Sequence, residues 1–210
     1  MKKLILSVAV LSSALTMSAQ DVTNTSDSRE LLRFGFKAGI NYSNIYSEEG
    51  NDFVADGKVG FAGGAFVSIP LGPVVGIQPE IMYSQKGYQA TGSGLLDYDY
   101  KRTLNYLDLP LLLQIKPTSS ISLLAGPQFS YLLSTKTEFN DSSFANEEEI
   151  NDDNYKKGII GMVVGADFNV SNFLISARGG FDLSKTDTEG ETSDLNYKNQ
   201  VLQLTVGYIF

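Results

Sequence analysis

Apolar and polar residues alternate with a period of two in eight segments of the chain. The last segment shows this most clearly, because every second residue is large and apolar: Leu202, Leu204, Val206, Tyr208 and Phe210. Gln203, Thr205 and Gly207 stand between them. Successive side chains of a β-strand point to opposite faces, so the pattern predicts a strand with one apolar and one polar face. It ends on an aromatic residue without a polar tail, as expected of a strand that closes a barrel in lipid.

Seven earlier segments show the same alternation and are separated by connections of two kinds. The predicted strands lie at about residues 33–42, 58–69, 75–86, 107–116, 121–134, 160–169 and 173–183. Short turns follow the second, fourth and sixth of them, and long loops occupy residues 43–57, 87–100, 135–157 and 184–196. A tilted strand crosses a bilayer in about 9–11 residues. Short turns on one side and long loops on the other are typical of outer-membrane barrels.

The pattern therefore predicts an all-β fold, an eight-stranded antiparallel up-and-down transmembrane β-barrel with both ends on the periplasmic side. A soluble exported barrel that holds an apolar ligand is the alternative, since it also has about eight alternating strands. Its apolar face would point inward. The apolar faces here consist almost entirely of Leu, Ile, Val, Phe and Tyr, which would crowd an eight-stranded interior, so we favour the membrane barrel.

The N-terminal segment has the form of a secretory signal peptide. Two lysines are followed by an apolar run to Met17 and by the small residues Ser18 and Ala19. The run is shorter than the ~20 residues of a spanning helix. We therefore predict a signal peptide at residues 1–20, a flexible lead-in at 21–32 and the barrel domain at 33–210.

Composition and charge exclude several functions. The formal net charge of the chain is −8, and it becomes −10 without the two leader lysines, which argues against a nucleic-acid partner. The chain contains neither His nor Cys, so catalytic arrangements built on these residues are impossible. We predict a protein without enzymatic activity and without a cofactor.

Several charged residues fall on the polar faces and are expected inside the barrel. Lys37, Glu80, Asp108 and Arg178 are the candidates for an interior network of ion pairs, because buried charges must be paired. A conducting pore is the alternative, but eight strands leave little open space. Pro79 lies within a predicted strand and cannot donate a ladder hydrogen bond, so we expect an irregularity there.

The longest predicted loop is strongly acidic. Its carboxylates could bind a divalent cation such as Ca²⁺, but they lack the spacing of an EF-hand, and a solvated loop is the commoner reading. We predict no metal site. The residues that would be ligands if one existed are Glu147, Glu148, Glu149, Asp152 and Asp153.

Several strand motifs resemble a known family. They are the run from Phe36 to Asn41 (FKAGIN), the run from Ile77 to Gly87 (IQPEIMYSQKG), the run from Tyr106 to Leu113 (YLDLPLLL) and Ala125-Gly126-Pro127. Together they resemble the PorT-like outer-membrane β-barrel proteins of Bacteroidetes, over nearly the whole mature chain. The resemblance implies an eight-stranded barrel in the outer membrane, and it implies that Pro79 and Pro110 are bulges.

What the resemblance implies about function is coarser. The family takes its name from a member that is needed for secretion of surface proteases, although many relatives have no known role. We expect a structural or interaction role through the acidic extracellular loops, and a part in protein secretion is the alternative. The expected partners are outer-membrane lipid, the barrel insertion machinery, and a secretion-system or periplasmic protein. Tyr208 and Phe210 are the predicted assembly signal for that machinery.

Overall fold

The computed structural model describes residues 28–47, 56–92, 98–141, 144–148, 158–183 and 197–210. A short 3-10 helix, η1 (Ser28–Glu30), precedes nine strands. These are β1 (Arg33–Ser47), β2 (Asp56–Pro70), β3 (Val75–Gly92), β4 (Tyr98–Ile115), β5 (Ile121–Asp141), β6 (Phe144–Glu148), β7 (Gly158–Val170), β8 (Phe173–Asp182) and β9 (Tyr197–Ile209). Within these ranges, no helix is long and apolar enough to span a membrane. The predicted signal peptide at 1–20 and residues 21–27 of the predicted lead-in lie outside the described residues.

Eight of the strands form a closed antiparallel barrel. Each of them pairs with its neighbours along the chain, β5 pairs with β7, and β9 returns to pair with β1. The closing register places Ala38 opposite Val206 and Tyr42 opposite Leu202. The ninth strand, β6, pairs with the far end of β5. The predicted eight-stranded up-and-down barrel is confirmed.

Apolar side chains point out of the barrel and polar side chains point in. In β1 the exposed fraction is 60 % for Phe36 but 3 % for its neighbour Lys37, and Asn41 is fully buried. The same alternation continues in β9, where Leu202 is exposed and Thr205 is buried. A soluble barrel with an apolar ligand site would need the opposite arrangement, so that alternative is wrong.

Several strands are longer than the sequence pattern predicts. The regions predicted as the loops 87–100 and 135–157 contain the ends of β3, β4 and β5 and the whole of β6. β5 has 21 residues, about twice what a tilted strand needs to cross a bilayer. Above the apolar belt the outward face does not have to be apolar. The alternation therefore fades there while the hydrogen-bonded ladder continues.

The prediction of bulges at Pro79 and Pro110 is wrong. Pro79 pairs with Leu111, and Met82 pairs with Asp108 in the same register, so no extra residue is inserted between them. The register shifts lie elsewhere, between Gly57 and Ala62 and between Asn105 and Tyr106. Proline removes one N–H donor from a ladder, which costs a hydrogen bond but does not require an additional residue.

Candidate functional site in the barrel lumen

Glu80 lies at the centre of the largest group of charges in the lumen. Its Oε2 atom accepts hydrogen bonds from Lys37 Nζ at 2.8 Å and from Arg178 Nη1 at 2.6 Å. Its Oε1 atom accepts one from Gln78 Nε2 at 2.8 Å. These side chains come from β1, β3 and β8, so the contacts link separate parts of the barrel wall across its interior.

Asp167 on β7 completes this group. Arg178 Nη2 lies 3.4 Å from Asp167 Oδ1, and Gln78 Nε2 lies 3.4 Å from Asp167 Oδ2. We call Lys37, Gln78, Glu80, Asp167 and Arg178 the Glu80 cluster. It holds two cations and two anions, and every member is at most 6 % exposed. Charges taken out of water in this way are tolerable only when they are paired and hydrogen-bonded.

The local sequence places and orients the members of the Glu80 cluster. Each lies on the inward face of its strand because of the period-two alternation. Gly165 pairs with Arg178, and a Cβ at Gly165 would meet Arg178 Cγ at 2.7 Å, so the missing side chain leaves room for the arginine. Ser176 Oγ accepts a hydrogen bond from Arg178 Nε at 3.0 Å. The guanidinium group is thereby held from three sides.

A separate ion pair joins β3 and β4. Lys86 Nζ lies 3.2 Å from Asp108 Oδ1 and 3.3 Å from Ser130 Oγ, and it stands 4.8 Å from the ring centroid of Tyr106. Asp182 lines the same small cavity as Lys86 and Asp108, and its Oδ2 atom accepts a hydrogen bond from Asn199 Nδ2 at 2.7 Å. Of the four residues predicted to share a network, the structure therefore brings together Lys37, Glu80 and Arg178, and Asp108 belongs to a different pair.

Apolar side chains occupy further parts of the lumen that the structure describes. Apolar side chains form three small clusters inside it, which are Phe66 with Leu174 and Ile209, Leu104 with Tyr106 and Ile159, and Leu112 with Leu124 and Val163. Two cavities next to the charged groups have volumes of about 30 and 20 Å³. A cavity of this size holds a water molecule or two, and no larger solute.

Sequence reasoning missed Gln78, Lys86 and Asp167 as members of these networks. All three stand on polar faces that the alternation identifies, so the signal for burial was present. Which charges meet depends on how far each strand is shifted against its neighbours around a closed barrel. That shift follows from the register of every pair of strands, and the hydrophobic pattern does not contain it.

The other predicted residues belong to the acidic loop and to the last strand. Glu147 and Glu148 belong to β6, and Glu149, Asp152 and Asp153 lie outside the described residues. In the part of the chain that the structure describes, no three acidic residues are grouped as a metal site. Tyr208 and Phe210 lie at the opposite end on the outer face, 5.1 Å apart between ring centroids.

Comparison with protein families identifies this barrel. Residues 18–188 match the model of a family described as outer membrane protein beta-barrel domain. The chain belongs to this family. The protein is therefore located in the outer membrane, as predicted, and the apolar side chains of its outer face contact membrane lipid. No curated protein matches the chain.

Solved structures of outer-membrane proteins are similar to this barrel at low sequence identity. The attachment invasion locus protein Ail of Yersinia pestis is 17 % identical, with a TM-score of 0.49, over 85 % of this chain and 98 % of that chain. Neisserial surface protein A is 11 % identical, with a TM-score of 0.48, over 85 % and 97 %. OprG from Pseudomonas aeruginosa is 15 % identical, with a TM-score of 0.43, over 87 % and 97 %. With TM-scores below 0.5, these likenesses carry no conclusion about function.

Proposed function

We propose that this outer-membrane barrel is a closed, non-enzymatic membrane anchor that acts through its extracellular side. The observation that carries the proposal is the filled lumen. The Glu80 cluster and the Lys86–Asp108 pair cross-link the wall from inside, and the apolar clusters occupy space between them. A barrel with such an interior has no path for a hydrated solute.

The extracellular end supports an interaction role. β3, β4 and β5 continue well past the belt of outward apolar residues, and β6 is added to the end of β5. The longest predicted loop is strongly acidic, and two of its residues, Glu147 and Glu148, lie in β6 at this end. An acidic surface on a rigid support suits a partner with complementary charge.

The absence of His and Cys supports a non-enzymatic role, because general acid–base catalysis near neutral pH most often uses His. The charged residues of the Glu80 cluster and of the Lys86–Asp108 pair are buried and bonded to one another. We therefore assign the ion pairs a structural role: they fix the positions of the strands that bear the extracellular end.

Conductance in planar lipid bilayers tests the closed lumen. We expect the purified, refolded barrel to produce no ohmic current steps above the baseline, because the cavities of about 30 and 20 Å³ admit no hydrated ion. A porin reconstituted in the same lipid serves as the positive control. Uniform current steps that scale with the amount of inserted protein would show an open pore and refute the proposal.

A part in protein secretion is the alternative function, and the resemblance to PorT-like proteins is what supports it. Deleting the gene and measuring the export of surface proteases separates the two. The anchor proposal expects unchanged export from the deletion strain. Loss of export that returns when the wild-type gene is restored would favour the secretion role instead.

A further inference from the structure

A groove of about 430 Å³ lies on the lipid-facing surface, where β7, β8, β9 and β1 meet. Its floor contains the small residues Gly165, Ala177 and Gly179. Val164 bounds it on one side, and Leu202 and Leu204 bound it on the other. It is an open groove of the outer surface and not an enclosed cavity. We propose that this groove binds one acyl chain of a membrane lipid.

Gly179 provides the second observation, because the fold does not require a glycine there. A Cβ added at Gly39 would collide with backbone atoms of Leu204, and one at Gly64 with those of Ile81, so these glycines permit close approach of neighbouring strands. At Gly179 the nearest atom to such a Cβ is 3.7 Å away, in the ring of Phe181, and the only positive φ among the described glycines is at Gly87.

A glycine in the interior of a strand costs conformational entropy and leaves no side chain to pack, and it often marks a place where a ligand approaches closely. Gly179 has no steric reason for its identity, but it does keep the floor of the groove open. A large side chain at this position would fill part of the groove.

The position of the groove along the membrane normal indicates what occupies it. The rings of Phe34, Phe173, Tyr208 and Phe210 form a row at the periplasmic end, which we call the aromatic row. Gly179 lies six residues from Phe173, which is about 20 Å along the strand and, at a tilt of about 40°, about 15 Å along the membrane normal. Gln200, an exposed polar residue, lies two residues beyond Leu202 on the extracellular side. Since the outward apolar band of such barrels is about 25 Å tall, the groove lies near the middle of the hydrocarbon layer, where the surrounding molecules are acyl chains.

A second barrel fits the groove less well than an acyl chain. Apolar surfaces within lipid do not attract each other by the hydrophobic effect, so association of proteins there depends on close packing or on polar contacts. Three polar residues line the groove, and of these only Tyr42 has a side chain that points outward. The side chains of Arg178 and Gln203 point into the lumen, where they bind Glu80 and Asn41. A thin, flexible acyl chain fills such a cleft without a matching ridge.

Tryptophan fluorescence tests the proposal, because the chain contains no Trp. Phe181→Trp places a single reporter beside Gly179, and Phe129→Trp places one on β5, two strands away on the same outer face. Each variant is titrated in detergent micelles with a phospholipid that carries brominated acyl chains. We expect saturable quenching for Phe181→Trp and quenching in simple proportion to lipid content for Phe129→Trp.

Gly179→Leu in the Phe181→Trp background fills the groove and should convert saturable quenching into the proportional form. Ala125→Leu, a similar change on β5 in the same Phe181→Trp background, should leave the quenching saturable. Unchanged heat-modifiable migration in gels shows that each variant is folded. Native mass spectra should show one retained lipid on the wild type and none on Gly179→Leu. Identical quenching curves for the two reporters, or a wild-type dimer that Gly179→Leu dissociates, would overturn the proposal.

Discussion

Glu80→Gln is expected to lower the free energy of unfolding of the barrel by about 3–5 kcal/mol, the usual cost of removing one partner from a buried ion pair. The carboxylate accepts hydrogen bonds from both Lys37 and Arg178, and all three side chains are shielded from solvent. Without it two buried cations share Asp167 as their remaining anion within the cluster. The change keeps the size of the side chain, so the loss reports the charge and not a cavity.

Urea titration of the barrel in lipid vesicles measures this effect, with the heat-modifiable gel band as the signal for folded protein. Glu30→Gln is the matched control, because Glu30 is exposed on η1. This change should leave the free energy of unfolding within about 0.5 kcal/mol of wild type. The double variant Glu80→Gln/Lys37→Met removes one charge of each sign. We expect it to recover much of the lost stability, since Arg178 then faces Asp167 alone.

The double variant also separates two explanations. If Glu80→Gln and the double variant are equally unstable, the loss comes from packing or from hydrogen bonds, and charge balance is not what stabilises the lumen. If Glu80→Gln unfolds at the same urea concentration as Glu30→Gln, the Glu80 cluster does not hold the barrel together at all.

The fold was largely predictable because a membrane barrel obeys two strong constraints. Every outward residue in lipid must be apolar, and every backbone group must be paired, so the alternation and the even number of strands appear directly in the sequence. Both constraints weaken above the membrane. The ends of β3, β4 and β5 and the whole of β6 lie in that region, and for this reason the sequence pattern predicts loops there.

The candidate site was predictable only in part. The polar faces identify which charges are buried, but a partner such as Asp167 for Arg178 is eleven positions away in sequence and on another strand. Glu80 and Arg178 are separated by 98 positions. Contacts across a lumen depend on strand tilt and on the register of all eight strands together. Inward apolar residues such as Phe66 and Leu174 were missed because they occupy faces that are otherwise polar.

Phe210→Asp is expected to lower the amount of assembled barrel in the outer membrane several-fold, because we propose that Tyr208 and Phe210 form the signal for the insertion machinery. Phe210 is the centre of an aromatic group at the seam. Its ring stacks on Phe34 at 5.3 Å and meets Phe36 at 5.9 Å and Tyr208 at 5.1 Å, edge to face. Its backbone N–H donates to Phe34 O at 2.9 Å.

Stability alone would not produce a several-fold loss. An acidic residue on the lipid face near the interface costs at most about 1 kcal/mol, because the headgroup region is polar. Phe173→Asp is the matched control: Phe173 lies in the same aromatic row and contacts Tyr208 at 5.6 Å, but it is not part of the proposed signal.

Cell fractionation measures assembly, and refolding into vesicles without the machinery measures stability. We expect Phe210→Asp to fail in cells while it refolds as well as Phe173→Asp in vesicles. A signal acts only where the machinery is present. Phe210 would therefore be an ordinary member of the aromatic row if the two variants assembled equally in cells, or if Phe210→Asp were equally defective in both assays.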